Sequence, residues 1–375
     1  MTELSIIGLM SGTSADGIDA AILLTDGRTM TRTGCSGHFD YRPETRQAIR
    51  ACCADPAVFL ADLAARASLD RAIAVDHAAA VQALCADFDG NIDLIGFHGQ
   101  TVYHNASSDM QHPLGRQRRE AGDARWLEAV SAMGVVEDVR RADMDQGGEG
   151  APLAPVYHAA VIDAMHNLRP AVLVNIGGVA NLTCVSAADG TGLIGFDTGP
   201  GNALLDDFMM SRFAVDCDRD GGLAATGSAD QTILARWMQH PYFQQTWPKS
   251  LDRQDFAGLL MTAEFRSLTD ADAAATLTCF TAQTIAHAIG KLPVTPQSVF
   301  VAGGGRRNGT MMQYLASFLP MPLITDPGDG FDADMLEAEL MAFLAARCHY
   351  RLPTSFPGTT GCRQPVSGGQ IARAR

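Results

Sequence analysis

Short apolar runs bounded by glycine recur along this chain and are separated by longer stretches of helical spacing. The first run, Leu4 to Leu9, breaks at Met10-Ser-Gly-Thr-Ser-Ala-Asp-Gly17 and resumes as Ile18-Asp-Ala-Ala-Ile-Leu-Leu24. Apolar runs flanking a Gly/Ser/Thr/Asp cluster predict strand, turn and strand. Residues 44–88 place Phe59, Leu60, Leu63, Ala64 and Ala67 at helical spacing and predict two or three helices. Ile92 to Phe97 reads as a buried strand entering His98-Gly-Gln-Thr101, residues 105–123 as a polar, basic surface loop, and Val135 to Val139 as another strand. The loop Asp143 to Pro152 precedes a helix reaching about residue 168.

After Arg169-Pro170 the pattern starts again. Ala171 to Ile176 is an apolar strand, Gly177-Gly178 its turn, and Ala180 to Val185 the return strand. Leu193 to Phe196 predicts a strand, followed by helices over 202–212 and 270–291, the strand Ser298 to Ala302, a helix carrying Met311 to Phe318, and a last helix over 334–347. This alternation predicts an α/β fold, and the repeated glycine hairpin predicts two related lobes facing a shared cleft. The lobes are expected at 1–168 and 169–375, with a Pro/Gly/Ser/Thr-rich tail from Leu352 to Gly369 wrapping the surface.

Composition narrows the function. At 375 residues, with 47% hydrophobic and 19% charged residues, the chain suits a folded two-lobed enzyme. A formal net charge of −14 argues against binding duplex nucleic acid, which requires a basic stripe. The 9 cysteines are scattered without a C-x-x-C pair and predict reduced thiols. The N-terminus lacks the basic and apolar regions of an export signal, and no apolar stretch approaches the roughly 20 residues that span a bilayer. The expectation is a cytoplasmic protein without a membrane partner.

The chemistry-bearing residues cluster at the strand ends. Gly8-Leu-Met-Ser-Gly-Thr-Ser-Ala-Asp-Gly-Ile-Asp19 offers small residues, the hydroxyls of Ser11, Thr13 and Ser14, and backbone amides for phosphate oxygens, while Asp16 or Asp19 can hold Mg²⁺ through water. The same glycines also suit a tight structural turn. Asp197, in Gly195-Phe-Asp-Thr-Gly-Pro-Gly-Asn202, stands where α/β folds place ligands, and either accepts a proton as general base or caps the next helix. Gly303-Gly-Gly-Arg-Arg-Asn308, between strand and helix, admits a flat nucleotide base or ribose against backbone, or is a bare turn. His98 and His104 have no partner at metal-ligand spacing and read as a polar substrate-contact loop.

In order along nearly the whole chain, Gly8-Leu-Met-Ser-Gly-Thr-Ser, His98-Gly-Gln-Thr, Gly147-Gly-Glu-Gly-Ala-Pro-Leu, Val174-Asn-Ile-Gly-Gly-Val-Ala-Asn-Leu, the Asp197 motif, Pro248-Lys-Ser-Leu-Asp-Arg, Gly303-Gly-Gly-Arg-Arg-Asn, Glu337-Ala-Glu and Leu352-Pro-Thr-Ser-Phe-Pro-Gly-Thr-Thr-Gly resemble the anhydro-N-acetylmuramic acid kinases of cell-wall recycling. The resemblance implies a two-lobed actin/hexokinase-type (duplicated ribonuclease H-like) fold with an interlobe cleft. It implies ATP and Mg²⁺ as cofactors, a sugar as substrate, and a homodimer. The implied reaction phosphorylates O6 of the 1,6-anhydro sugar while water, activated by Asp197, opens the bridge at C1. By the same resemblance Gly12, Thr13, Ser14, Ala15, Asp16, Gly17, Ile18 and Asp19, with Gly177, Gly178, Gly303, Gly304 and Gly305, contact ATP, and Gln100, Thr101 and Glu337 lie nearer the sugar. Two departures bear on the sugar: Glu149 stands where glutamine is usual, and Glu120 stands where relatives carry glutamine. The alternatives are an ordinary sugar kinase acting on a free hydroxyl and a catalytically silent nucleotide-binding regulator.

Overall fold

Both glycine hairpins open a sheet, and the two sheets repeat one strand order. In the computed structural model, which describes residues 1–12, 15, 17–105, 117–165, 169–187, 192–326, 328 and 331–372, β1 (Leu4–Ser11), β2 (Gly17–Thr25) and β3 (Met30–Asp40) form an antiparallel meander. β4 (Leu94–Asn105) then runs parallel to β1, β5 (Gln117–Ala121) folds back on β4, and β6 (Gly134–Glu137) runs parallel to β4. The second sheet begins with the meander β7 (Ala171–Ile176), β8 (Val179–Val185) and β9 (Leu193–Pro200). β10 (Ser298–Ala302) is parallel to β7 and β11 (Leu323–Ile324) parallel to β10. Both sheets therefore read meander, then two parallel strands on the far side of the first. This is the duplicated α/β arrangement of the actin/hexokinase class.

The chain divides into one unit of Met1–Ala160 with Met335–Arg375 and another of Val161–Asp334. The division falls inside the helix Pro155–Met165, and residues 335–375 join the first half although sequence order assigns them to the second. Packing explains this. The helix Leu336–His349 lies directly on β1 and β4, and β12 (Gln370–Ala372) extends the first sheet by pairing with β6.

Alternation of side chains across β1 and β4 decides which layer meets which face. Ile7, Leu9, Ile95 and Phe97 face one way, into a core with Leu69, Ile73, Val81 and Leu84 of the helix Leu63–Ala86. Gly8 and Gly96 face the other way, where a Cβ would stand 1.9 Å from the Ala338 carbonyl oxygen and 2.2 Å from that of Met341. Gly8 thus serves helix–sheet packing, not the approach to phosphate expected of the motif it begins. The second unit builds its core around Asp270–Gly290, a helix buried on most of its circumference, with Phe280, Ile285 and Ile289 among its buried side chains.

Two elements escaped the hydrophobic pattern. β3 is a largely polar strand, Met-Thr-Arg-Thr-Gly-Cys-Ser-Gly-His-Phe-Asp, whose pairing with β2 and not its own apolar content makes it a strand. The loop expected over 105–123 is instead the end of β4, the strand β5 and an Asp123 N-cap that accepts from the Trp126 amide at 2.9 Å; residues 106–116 lie outside the described residues.

Two further motifs meet at one fully buried carboxylate. Asp143 accepts from the Gly150 amide at 2.8 Å and from the hydroxyls of Ser355 and Thr360. The Glu149 amide donates to the Thr360 carbonyl at 2.9 Å. Asp143 therefore ties the Gly147–Pro152 loop to the C-terminal segment, and a Cβ on Gly148 would stand 2.2 Å from its carboxylate.

Candidate active site

In the first unit the hairpin between β1 and β2 is described at Gly12, Ala15 and Gly17; Thr13, Ser14 and Asp16 lie outside the described residues. Ala15 has φ +54° with its side chain in the core, and its amide donates to the Gly12 carbonyl at 3.3 Å. Ile18 is fully buried, with its side chain in the core beside Ala15. Asp19 accepts from His38 on β3, the residue directly opposite, at 2.7 Å.

Ser11 points away from the hairpin. Its hydroxyl accepts from the Tyr41 hydroxyl at 2.7 Å and lies 3.1 Å from His77 Nε2, while His77 Nδ1 lies 2.8 Å from the Ile73 carbonyl. A carbonyl only accepts, so Nδ1 carries the proton and Ser11 donates to Nε2. This closes a Tyr41–Ser11–His77 chain behind the hairpin and removes Ser11 from the expected phosphate donors. Burial lowers His77, and likewise the buried His158, to about 4. The unfolded chain gains a proton at each near pH 6.5 while the folded chain stays neutral to about 4, so this contribution to stability is present at neutral pH and lost on acidification. The expected loss is about 3 kcal/mol per histidine between those limits. Urea unfolding of wild type and His77→Gln at pH 7.5 and 4.5 checks it: the gap between the two should narrow at the lower pH. An unchanged gap would contradict a neutral, buried His77.

Gln100 is fully buried; its amide donates to the Gly12 carbonyl at 2.9 Å and to the Thr101 carbonyl at 3.2 Å, and its Oε1 meets no hydrogen-bond partner among the described residues. It reaches the hairpin's backbone. Thr101 is half-buried beside it, opposite Glu120 on β5. His98 lies with Nδ1 2.7 Å from the Gly99 carbonyl and accepts from Arg140 at 3.1 Å, which makes it a structural imidazole. The side chain of His104 lies outside the described residues. Arg140 also pairs with Glu120 at 3.6 Å, and both line a charged cavity of about 420 Å³ with Arg119, Glu137 and Arg141.

The two glutamates of Glu337-Ala-Glu339 part company. Glu339 is buried in an ion pair with Arg32 at 2.8 Å and accepts from the Tyr157 hydroxyl. Glu337 is exposed by surface area, yet protein surrounds it closely enough that desolvation raises its carboxyl above the ordinary range, with Arg140 opposing and Asp19 adding.

In the second unit Asn202 joins the glycine elements. Its amide donates to the Gly177 carbonyl at 2.7 Å, its side chain donates to the Ile176 carbonyl at 3.2 Å, and a Cβ on Gly305 would stand 3.0 Å from its Oδ1. The Gly201 amide donates to the Gly178 carbonyl at 2.9 Å. Gly303 has φ +76°, a left-handed turn that suits glycine. The hairpin Gly177-Gly178 and the turn Gly303–Gly305 are thus brought together through Asn202 and Ile176. Arg306 and Arg307 both pair with Asp334.

Asp197 lies within β9, not at its end, because pairing with β8 continues through Pro200, a residue tolerated on an edge strand. The cap position of the helix Ala203–Phe213 belongs to Asn202, so the capping alternative for Asp197 falls away. Its carboxylate accepts from the Leu251 amide at 2.8 Å, its own amide donates to the Lys249 carbonyl at 3.1 Å, and its carbonyl accepts from the Tyr242 hydroxyl at 2.6 Å. The Lys249 ammonium sits 4.1 Å from the Tyr242 ring centre; burial, then the neighbouring Lys291, lowers it to about 8, and Asp197 opposes. Tyr242 and Lys249 were not among the residues chosen from sequence. The motif Pro248 to Arg253 contains Lys249 but not Tyr242, and nothing local joins either to β9.

The family model described as anhydro-N-acetylmuramic acid kinase matches residues 4–374. An "Anhydro-N-acetylmuramic acid kinase" of Rhodopseudomonas palustris (strain HaA2) is 44% identical over 379 residues, covering 99% of each chain. One of Acidiphilium cryptum (strain JF-5) is 43% identical over 369 residues, covering 98% of each chain. Among solved structures the likeness is looser: a ROK family glucokinase from Streptomyces griseus in complex with glucose and AMPPNP aligns with TM-score 0.37 and 12% identity, covering 90% of this chain and 98% of that one. With its motifs and its full length both matched, the chain belongs to the anhydro-N-acetylmuramic acid kinase family.

Proposed function

We propose that this chain is an ATP-dependent carbohydrate kinase that opens 1,6-anhydro-N-acetylmuramic acid with water and phosphorylates O6, giving N-acetylmuramate 6-phosphate and ADP in peptidoglycan recycling. The observation that carries the mechanism is Asp197, held on an edge strand by the Leu251 amide. In this reading water adds to C1, its proton passes to Asp197, the C1–O6 bond breaks, and O6 takes the γ-phosphoryl group as ADP leaves. Phosphoryl transfer asks mainly for positioning and charge neutralisation, whereas opening the acetal also asks for a carboxylate that directs water.

Gly12, Thr13, Ser14, Ala15, Asp16, Gly17, Ile18 and Asp19, with Gly177, Gly178 and Gly303 to Gly305, take the role of nucleotide contacts. Gln100 holds the Gly12 carbonyl and, with Thr101 and Glu337, lies toward the sugar. Mg²⁺ bound with ATP supplies charge neutralisation on the phosphates, and Asp19, oriented by His38, would hold it through water. Such a site suits Mg²⁺, which is usually held by one or two carboxylates and the substrate's own phosphates. A cytoplasmic setting and a homodimer belong to the same proposal; all nine cysteines are free thiols, as a reducing compartment keeps them.

Incubation with the anhydro sugar and ATP in ¹⁸O-water tests the reaction. Mass spectrometry should show a 6-phosphosugar carrying the label at C1. An ordinary sugar kinase would phosphorylate a reducing sugar without solvent oxygen, and a silent regulator would bind ATP without turnover; either result overturns the proposal.

A further inference from the structure

The segment that clamps Asp197 continues to Arg253, whose guanidinium lies against the second glycine hairpin. A Cβ on Gly178 would stand 3.9 Å from Arg253 Nη1 and 4.0 Å from its Cδ. Arg253 Nη2 donates to Asp207 at 2.7 Å, which holds the fork in place, while the arginine side chain keeps 51% exposure. The hairpin itself is fixed from below: the amides of Gly201 and Asn202 donate to the carbonyls of Gly178 and Gly177. A surface arginine parked over a glycine turn is costly in side-chain freedom unless something uses its remaining donors.

We propose that Arg253 is a phosphate-contact residue of this hairpin, presenting a planar donor fork beside Gly178 to the phosphates of a nucleoside triphosphate. This rests on the reading of Gly177 and Gly178 as nucleotide contacts. A guanidinium matches phosphate geometry in a way that an ammonium does not. One short segment then serves both halves of the reaction, since its Leu251 amide holds the carboxylate of Asp197 and its Arg253 meets the phosphates.

Arg253→Met and Arg253→Lys separate this role from a merely structural ion pair. The expected result for Arg253→Met is a KM for ATP raised on the order of ten- to a hundred-fold, the loss of a charge-assisted hydrogen bond. KM for the sugar, inhibition by adenosine and the thermal midpoint should hold steady, and Arg253→Lys should recover only part of the loss. Asp207→Asn keeps an acceptor for Nη2 while removing a negative charge beside the phosphates, and should lower the KM for ATP. An unchanged KM in Arg253→Met, or equal increases in Arg253→Met and Asp207→Asn, overturns the proposal while leaving the nucleotide reading intact. Failure of the wild-type protein to bind ATP by calorimetry removes both together.

Discussion

Asp197→Asn is expected to reduce turnover of the anhydro sugar by about 10²- to 10⁴-fold, the range of a lost general base, with ATP binding and the unfolding midpoint retained. The substitution is close to silent for the fold. Asparagine Oδ1 still accepts from the Leu251 amide, and the backbone bonds to Lys249 and Tyr242 do not involve the side chain. What disappears is basicity. The loss should appear in kcat, and calorimetric ATP titration should match wild type. Turnover equal to wild type would refute Asp197 as the base, whereas loss of ATP binding would assign it to the nucleotide instead.

Glu339→Ala is expected to destabilise the first unit by about 3 to 5 kcal/mol, the usual consequence of removing one member of a buried ion pair. Arg32 and Glu339 keep only 11% and 7% side-chain exposure, and the Tyr157 hydroxyl completes the group. Arginine cannot shed its proton, so the change leaves a charge and a phenol facing a void. The three residues come from β3, the helix Pro155–Met165 and the helix Leu336–His349, so the pair fastens the C-terminal helix to the N-terminal sheet. Denaturant unfolding should show a lower midpoint for Glu339→Ala, while Glu337→Gln, two residues away and exposed, should unfold like wild type. Similar midpoints for both glutamate variants would mean that the Arg32 pair contributes nothing.

The motif Glu337-Ala-Glu339 shows where sequence reading stops. Two identical residue types, both in the first turn of a helix, differ only in what the fold sets against them, and Arg32 lies far away in the chain. The same holds for Ser11, a hydroxyl in a phosphate-type motif until Tyr41 and His77 turn it inward. Gly8 read as part of that loop and proved to be a seat for a helix that arrives from the other end of the chain. For Asp197 the fold removed one of the two roles open in the sequence: the strand continued past it, and Asn202 took the cap.

The hydrophobic pattern by itself determined both glycine hairpins, the central strands of each sheet and the long helices, because short apolar runs and helical spacing are local properties. The ordered motifs determined the family, because so many in register leave little freedom. Tertiary structure alone decided the polar edge strand β3, the strand β5, and the return of residues 335–375 to the first unit, since each depends on pairing or packing with distant partners. It also decided which carboxylates are buried supports and which face solvent, because hydrogen bonds and desolvation are set by neighbours in space and leave no local signature in the chain.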